Sequence, residues 1–403
     1  MSKAGKYILI SALCIGCASS IYFLSLLVQL PVILAGLFML LFLVVLFRWL
    51  PAASDDGRKA PYAGYAILLL GFYFILNKAN TLAAKHGDWD AWAIWNYHAG
   101  YLADVHHWKN MLYGTSGHPD YPLCLPATVG FLMRISGGYH PLEISFGLNL
   151  WVMLCIPVLI FTELYRKNIL VAAAAFLLIT TDSFYVARGV SQYADTLLAF
   201  FFLAAFVCIN YAAQNKKYIA MATAMIGFCV WTKNEGVILA GLFMLFYNRL
   251  LFSRKNIVTS LTGITLPLLA YLIFKFCYAP ANDMVSGQGK ATLSQLGDWN
   301  RYVTIWQSFR INLNKDFMYV EIGFFLYLLC CIAQRKWPGR QMLLLISCLL
   351  AYFMIYVVSP HDLQWHLGTS QDRLMHQLMP AMAYVIATTL SELRLSFPQK
   401  QAL

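Results

Sequence analysis

"YPLCLPATVGFLMRIS", residues 121–136, decides how the rest of the chain is threaded. The stretch is apolar enough to pass for a membrane span. It is also short, starts at Pro122, holds Pro126 and carries Arg134 near its end. A spanning helix needs about 20 apolar residues. A proline inside a helix removes a backbone bond and kinks it. If 121–136 crosses a bilayer, every later loop changes sides; if it does not, the loops keep their places.

That a bilayer is involved follows from composition. Of 403 residues, 60% are hydrophobic and 12% charged, whereas a soluble domain carries about 25% charged residues. Apolar runs predict spans over 7–29, 31–48, 61–78, 143–164, 169–185, 196–213, 218–233, 236–250, 257–277, 317–333, 341–358 and 374–392. The fold class expected is an all-α polytopic membrane protein of about twelve spans. Residues 1–392 form a single transmembrane domain and 393–403 a tail. "MSKAGKYILISALCIGCASS" resembles a secretory signal, but its apolar pattern runs on to Phe47, which favours an uncleaved first span. The ten cysteines lie mostly inside apolar runs and suggest no disulfide framework; Cys14 and Cys17 read as small packing residues.

Charge arbitrates the threading. Without a crossing at 121–136, the N-terminus, 49–60, 165–168, 214–217, 249–256, 334–340 and the C-terminus share one side. These pieces and their flanks hold 17 of the 29 basic residues, from Lys3 and Lys6 through Arg58 and Lys59 to Arg394 and Lys400. A crossing would divide them between two faces. Basic loops stay in the cytoplasm, so 121–136 is expected to be a juxtamembrane or re-entrant helix, with both termini cytoplasmic. The net charge of +11 is thereby a topology signal and no argument for nucleic-acid binding.

The opposite face then receives a large loop, 79–142, and a second, 278–316. It also gathers most of the Asp, His and Trp clusters, and polar groups collected at one membrane face mark sites more often than decoration. In "GDWDAW" (87–92), Asp88 and Asp90 precede an amphipathic pattern, with Trp92, Trp95, Ala99 and Leu102 on one helical face. One of the two acids is expected as N-cap, a role compatible with general-base work because a helix N-terminus keeps a carboxylate ionised. "HPDYP" holds His118 and Asp120 among prolines. Asp182, Arg188, Tyr193 and Asp195 flank a short loop, in which Asp195 reads as a cap and Arg188 as a bidentate partner for an anionic head group. "WTKNEG" reads either as an exposed tight turn or as Lys233 and Glu235 poised for a phosphate and a hydroxyl. In "DLQWHLGTSQDRLMHQLMP", Thr369 and Asp372 match a capping box, leaving Trp365, His366 and Arg373 to bind phosphate or stack on a sugar. Pro380 is expected to kink the last span. His106 and His107 are adjacent and the other His and Asp residues lack ligand spacing, so no metal site is expected.

Together "WDAWAIW", "HPDYPLCLP", "YADTLLAFF", "KNEG" and "DLQWHLGTSQDRL" resemble a bacterial group of membrane glycosyltransferases related to the GT-C superfamily, which includes protein O-mannosyltransferases and aminoarabinose transferases. The resemblance covers roughly residues 60–392. It implies a polyprenyl-phosphate-linked sugar donor, a glycan, lipid or protein acceptor, an inner-membrane location with a periplasmic site, and an acid in the first outer loop. That acid maps onto Asp90 or Asp88. The family's usual acidic pair is adjacent, whereas Trp89 separates this one, so the choice between the two stays open. Transfer is expected to invert the anomeric carbon, with Asp90 as base and Arg188, Lys233 and Arg373 facing the phosphate. No cofactor is expected; assistance by a divalent ion is left open. Two alternatives stand beside this reading. A polysaccharide ligase or polymerase would rely on an arginine-led phosphate site. A flippase would show internal repeats and polar groups at mid-membrane.

Overall fold

The computed structural model describes residues 1–49, 62–113, 117–138, 141–281 and 294–392. The 49–60 loop (all but Trp49), most of the first half of the second outer loop and the 393–403 tail, with Arg58, Lys59, Arg394 and Lys400, lie outside the described residues. The described chain is helical, and no strand occurs in it. Its helices are α1 (Lys3–Leu27), α2 (Val32–Trp49), α3 (Tyr62–Leu82), α4 (Asn96–Leu102), α5 (Cys124–Ile135), α6 (Pro141–Leu164), α7 (Ile169–Thr181), α8 (Ser183–Val190) and α9 (Ala194–Asn210). There follow α10 (Lys217–Thr232), α11 (Gly236–Phe246), α12 (Asn248–Leu251), α13 (Ile257–Cys277), α14 (Trp299–Asp316), α15 (Met318–Ala333), α16 (Arg340–Val358) and α17 (Leu363–Ser391).

Among the described residues, six helices are long and apolar enough to cross a membrane: α1, α2, α3, α6, α13 and α16. Two bent pairs raise the number to eight, α7 with α8 at 61° and α14 with α15 at 99°. Helices α9, α10 and α11 are apolar but shorter. The sequence pattern over 374–392 begins too late: the last helix starts at Leu363, where Asp362 accepts the Trp365 amide at 2.8 Å. Thr369 and Asp372 therefore sit inside a helix and form no capping box. Pro380 lies within the same helix, which continues to Ser391.

Helix α5 is the outcome of the deciding stretch. It has 12 residues and so rises about 18 Å, against about 30 Å of hydrocarbon. Pro126 does not kink it. The helix begins at Cys124, so Pro126 falls in the first turn, where the missing N–H would have had no intrahelical partner. The helix lies along α1, with the Thr128 hydroxyl donating to the Ile15 carbonyl at 3.4 Å and Phe131 5.2 Å from the Tyr22 ring.

The core is built on α9 and α10. Residues Ala194–Ile209 and Tyr218–Thr232 are all buried, as expected of helices apolar on every side. Phe200, Phe201, Phe202 and Phe206 fill the space around α9. Cross-helix contacts define two ends of the bundle. At the lower end Tyr211 donates to Glu163 at 2.6 Å, Lys217 donates to the Trp49 carbonyl, and Lys167 pairs with Glu392 at 3.2 Å. At the upper end the Tyr22 hydroxyl donates to the Leu102 carbonyl at 2.6 Å, and Lys275 on the last turn of α13 reaches Asp120 at 3.3 Å.

The upper end is covered by residues 83–123. Between Asp90 and α4, Ala91–Trp95 form a π turn. Across it Trp95, Ala99 and Leu102 keep the buried face expected from the sequence. Ala91, Ile94, Trp95, His98, Ala99 and Leu102 face inward, and Trp92 is exposed. Gly87 sets where this cover begins. It holds φ +72°, and a Cβ there would lie 2.7 Å from the Ser191 carbonyl, while the next amide, Asp88 N–H, donates to that same carbonyl at 3.1 Å. Replacing Gly87 by alanine is expected to destabilise the protein by at least the left-handed penalty of about 1–2 kcal/mol. A thermal melt in detergent indistinguishable from wild type would remove this anchoring role.

Candidate functional site

A cavity of about 340 Å³ opens at the upper end. Its walls come from four places: His118 and Tyr121 before α5; Lys233, Asn234 and Glu235 in the turn between α10 and α11; Ile355, Val358 and His361 at and beyond the end of α16; and Trp365, His366, Thr369, Ser370 and Arg373 on α17. On α17 the residues at 366, 369, 370 and 373 recur at helical spacing, which is why one face of one helix supplies so much of the wall.

The cations in this wall are already engaged. Lys233 donates to Asp195 at 2.9 Å and approaches Glu235 at 3.4 Å. Gln377 also donates to Asp195, at 2.6 Å, and the Tyr352 hydroxyl donates to Gln377 at 2.6 Å. Lys233 is only 3% exposed, so the turn "WTKNEG" is buried, and the alternative of an exposed loop falls. Burial works against the charge on Lys233, but the Asp195 and Glu235 carboxylates outweigh it and raise its pKa. Asp195 does not cap α9. It stands in the first turn, with Tyr193 at the cap position, and its side chain points to Lys233 and Gln377.

Arg373 pairs with Asp90 and lies 5.3 Å over the Tyr193 ring. The Tyr193 hydroxyl in turn accepts the Asp90 amide at 3.2 Å. Asp90 makes no side-chain cap bond; the N-cap expectation for this acid gives way to an ion pair. Asp88 is exposed, so the two acids separate. Asp90 belongs to the Arg373 cluster but does not itself line the cavity, and the carboxylate in the wall is that of Glu235.

His118 also departs from ordinary geometry. It adopts φ +51°, a conformation uncommon outside glycine and concentrated at functional sites. Its ring stacks on Tyr121 at 4.5 Å, and Tyr121 stacks on the buried Trp95 at 5.6 Å. Behind this stack Asp120 accepts the Asn234 side-chain amide at 2.8 Å and an ammonium hydrogen of Lys275 at 3.3 Å. The hydroxyl of Ser359, just past the end of α16, lies 2.7 Å from Nδ1 of His366 on α17.

Of the site residues expected from sequence, His118, Lys233, Glu235, Trp365, His366 and Arg373 line the cavity. Asp90, Tyr193, Asp195, Asp120 and Trp95 stand directly behind those that do. Asp88, Trp92 and Arg188 are elsewhere. Arg188 does not line the cavity; it donates to Asp372 on α17 at 2.6 Å. Tyr121, Asn234 and Gln377 are not singled out by the sequence, although each sits within one of its motifs, and Lys275 carries no local signal. Among the described residues no group of three His, Cys, Asp or Glu side chains is placed to hold a metal ion. Compared with known protein families, with characterised proteins and with solved structures, the chain matches none.

Two outcomes follow from these burials. Lys233→Met strands the Asp195 carboxylate and is expected to cost about 3–5 kcal/mol, whereas Lys233→Met with Asp195→Leu recovers much of that loss. A double-mutant cycle by denaturation checks it, and additive losses would contradict the pairing. His98 on α4 is buried, which together with the nearby His118 lowers its pKa to about 4. Between about pH 6.5 and 4 the unfolded chain takes up a proton that the folded chain does not, so stability falls on acidification across that window, by up to about 3 kcal/mol. Melting temperature against pH should be flatter in His98→Phe; equal slopes would exclude His98 as a source of the acid sensitivity.

Proposed function

We propose that this chain is an inverting membrane glycosyltransferase of the GT-C kind. It takes a sugar from a polyprenyl-phosphate donor and passes it to an acceptor hydroxyl on a glycan, lipid or protein. The observation that carries the reading is the cavity itself. It brings two cations, the buried Lys233 and the partly buried Arg373, together with a carboxylate and the ring faces of Tyr121, His118 and Trp365 at one end of an apolar helical bundle. A lipid-linked sugar phosphate needs these three things: cations for the departing phosphate, flat faces for the sugar, and hydrocarbon for the tail.

In the proposed step the acceptor oxygen attacks the anomeric carbon from the side opposite the phosphate. The bond from that carbon to the phosphate oxygen breaks, and the phosphate keeps the electron pair beside Lys233 and Arg373. The acceptor proton passes to Asp90. In the resting protein Asp90 is held by Arg373, so a phosphate that engages Arg373 frees the carboxylate to act as base. In this reading the chain crosses the bacterial inner membrane about twelve times, with α9, α10, α11 and α17 counted as spans. The basic lower end then lies in the cytoplasm and the cavity in the periplasm.

A ligase or polymerase of lipid-linked glycans is the second reading. It is favoured by one observation: Arg373 lines the cavity and Asp90 does not. Binding of a long-chain polyprenyl phosphate, followed by quenching of tryptophan fluorescence, tests the phosphate site common to both. Arg373→Ala is expected to weaken it tenfold or more, and unchanged affinity removes Arg373. Asp90→Asn separates the two readings. It should bind the polyprenyl phosphate like wild type yet lose 10²-fold or more of sugar transfer from a radiolabelled lipid-linked donor to an envelope extract. Full transfer by Asp90→Asn excludes Asp90 as base and leaves the arginine-led alternative.

A further inference from the structure

At the lower end, remote from the cavity, helix α2 stands off from the bundle. Its fully buried residues are Ala35 and Met39 alone. Between its C-terminal half and α13 lies a groove of about 290 Å³, floored by α1 and α10. The floor is low because the residues there are small. Ala220 and Ala224 face it from α10, and Gly263 faces it from α13, where a Cβ would lie 2.1 Å from the Ala220 carbonyl. Phe42, Leu46 and Trp49 make the α2 wall. The Thr262 hydroxyl donates within its own helix, to the Val258 carbonyl at 2.8 Å. The groove thus offers hydrocarbon and almost no hydrogen-bonding capacity.

Its rim is basic. Lys217 lies 5.3 Å from the Trp49 ring and donates to the Trp49 carbonyl. Lys216 donates to the Lys255 carbonyl at 3.1 Å, which places a third ammonium-bearing residue on the same edge. Lys6 lies 5.6 Å over the Phe47 ring. The described acids at this end are spoken for: Glu163 accepts from Tyr211, and Glu392 pairs with Lys167. An ammonium has three donors, so Lys217 keeps capacity beyond the bond it makes.

We infer that this groove holds one acyl chain of an anionic glycerophospholipid, whose phosphate head sits on the Lys216, Lys217 and Lys255 rim. The occupant is a lipid because the lining is hydrocarbon, and an anionic one because a basic edge borders that lining. It is distinct from a polyprenyl-phosphate donor, whose head would belong with Lys233 at the opposite end. The site stands whether or not the chain transfers sugar.

The test uses the full chain in detergent with phosphatidylglycerol brominated on its acyl chain. Bromines in the groove quench Trp49, so wild type is expected to show a quenching component that Trp49→Phe lacks. Phosphatidylcholine of the same chains should bind at least several-fold more weakly. Lys216→Gln with Lys217→Gln should abolish that preference, and Leu46→Phe, which fills the groove from the loosely packed α2 side without adding a tryptophan, should weaken the Trp49 component. Equal binding of the two lipids, a preference unchanged in the lysine variant, or displacement of the brominated lipid by a polyprenyl phosphate would each overturn the assignment. Retained transfer activity alongside any of these results would leave the reading of the cavity intact.

Discussion

The contact on which the upper end of the molecule depends is the buried pair of Lys233 and Asp195. A lone charge in an apolar bundle is very costly, and pairing offsets the cost only when the remaining donors and acceptors are also met. Gln377 and Tyr352 do part of that here. The pair therefore fixes α10, α9, α17 and α16 relative to one another at the level of the cavity. Removing Lys233 from water also keeps a cation poised at a wall, where an apolar residue would have packed more cheaply.

The same logic extends through Arg373. Its partner Asp90 arrives from residues 83–123, which cover the bundle, while Arg373 belongs to the bundle itself. One ion pair thus fastens cover to core. Any anion that competed for Arg373 would loosen that fastening and release Asp90 in a single event. One residue before Arg373, Asp372 makes a separate ion pair with Arg188, which anchors α17 independently of Asp90.

Much of this was legible in the sequence. Apolar runs gave the helices, and the count of basic residues gave two unlike ends, because bulk hydrophobicity and bulk charge act over whole segments. The shortness of 121–136 could also be read directly. What escaped was local and depended on partners distant in the chain. Asp195 and Asp372 look like caps until α10 and α8 bring Lys233 and Arg188 beside them. Trp92 and Trp95 share one helical face by spacing, yet Trp95 is buried and Trp92 exposed. Arg188 and Arg373 are equivalent in a linear motif; only the packing of α8 beside Asp372 on α17 tells them apart. Gln377 and Lys275 are unremarkable in sequence because their partners lie on other helices.

The π turn at Ala91–Trp95 also bears on how this protein tolerates change in length. Successive helical residues are rotated by about 100°, and the wide turn accommodates one residue more than an α-helix would in the same place. Losing a single residue there would let the turn relax to an ordinary helix while Asp90, Trp95 and His98 kept their places. A residue lost from α4 has no such reserve and would rotate everything before it by about 100°, swinging Asp90 away from Arg373. Within this segment the π turn is therefore the place where a change of length does least harm, and α4 the place where a deletion that removes no site residue would dismantle the site.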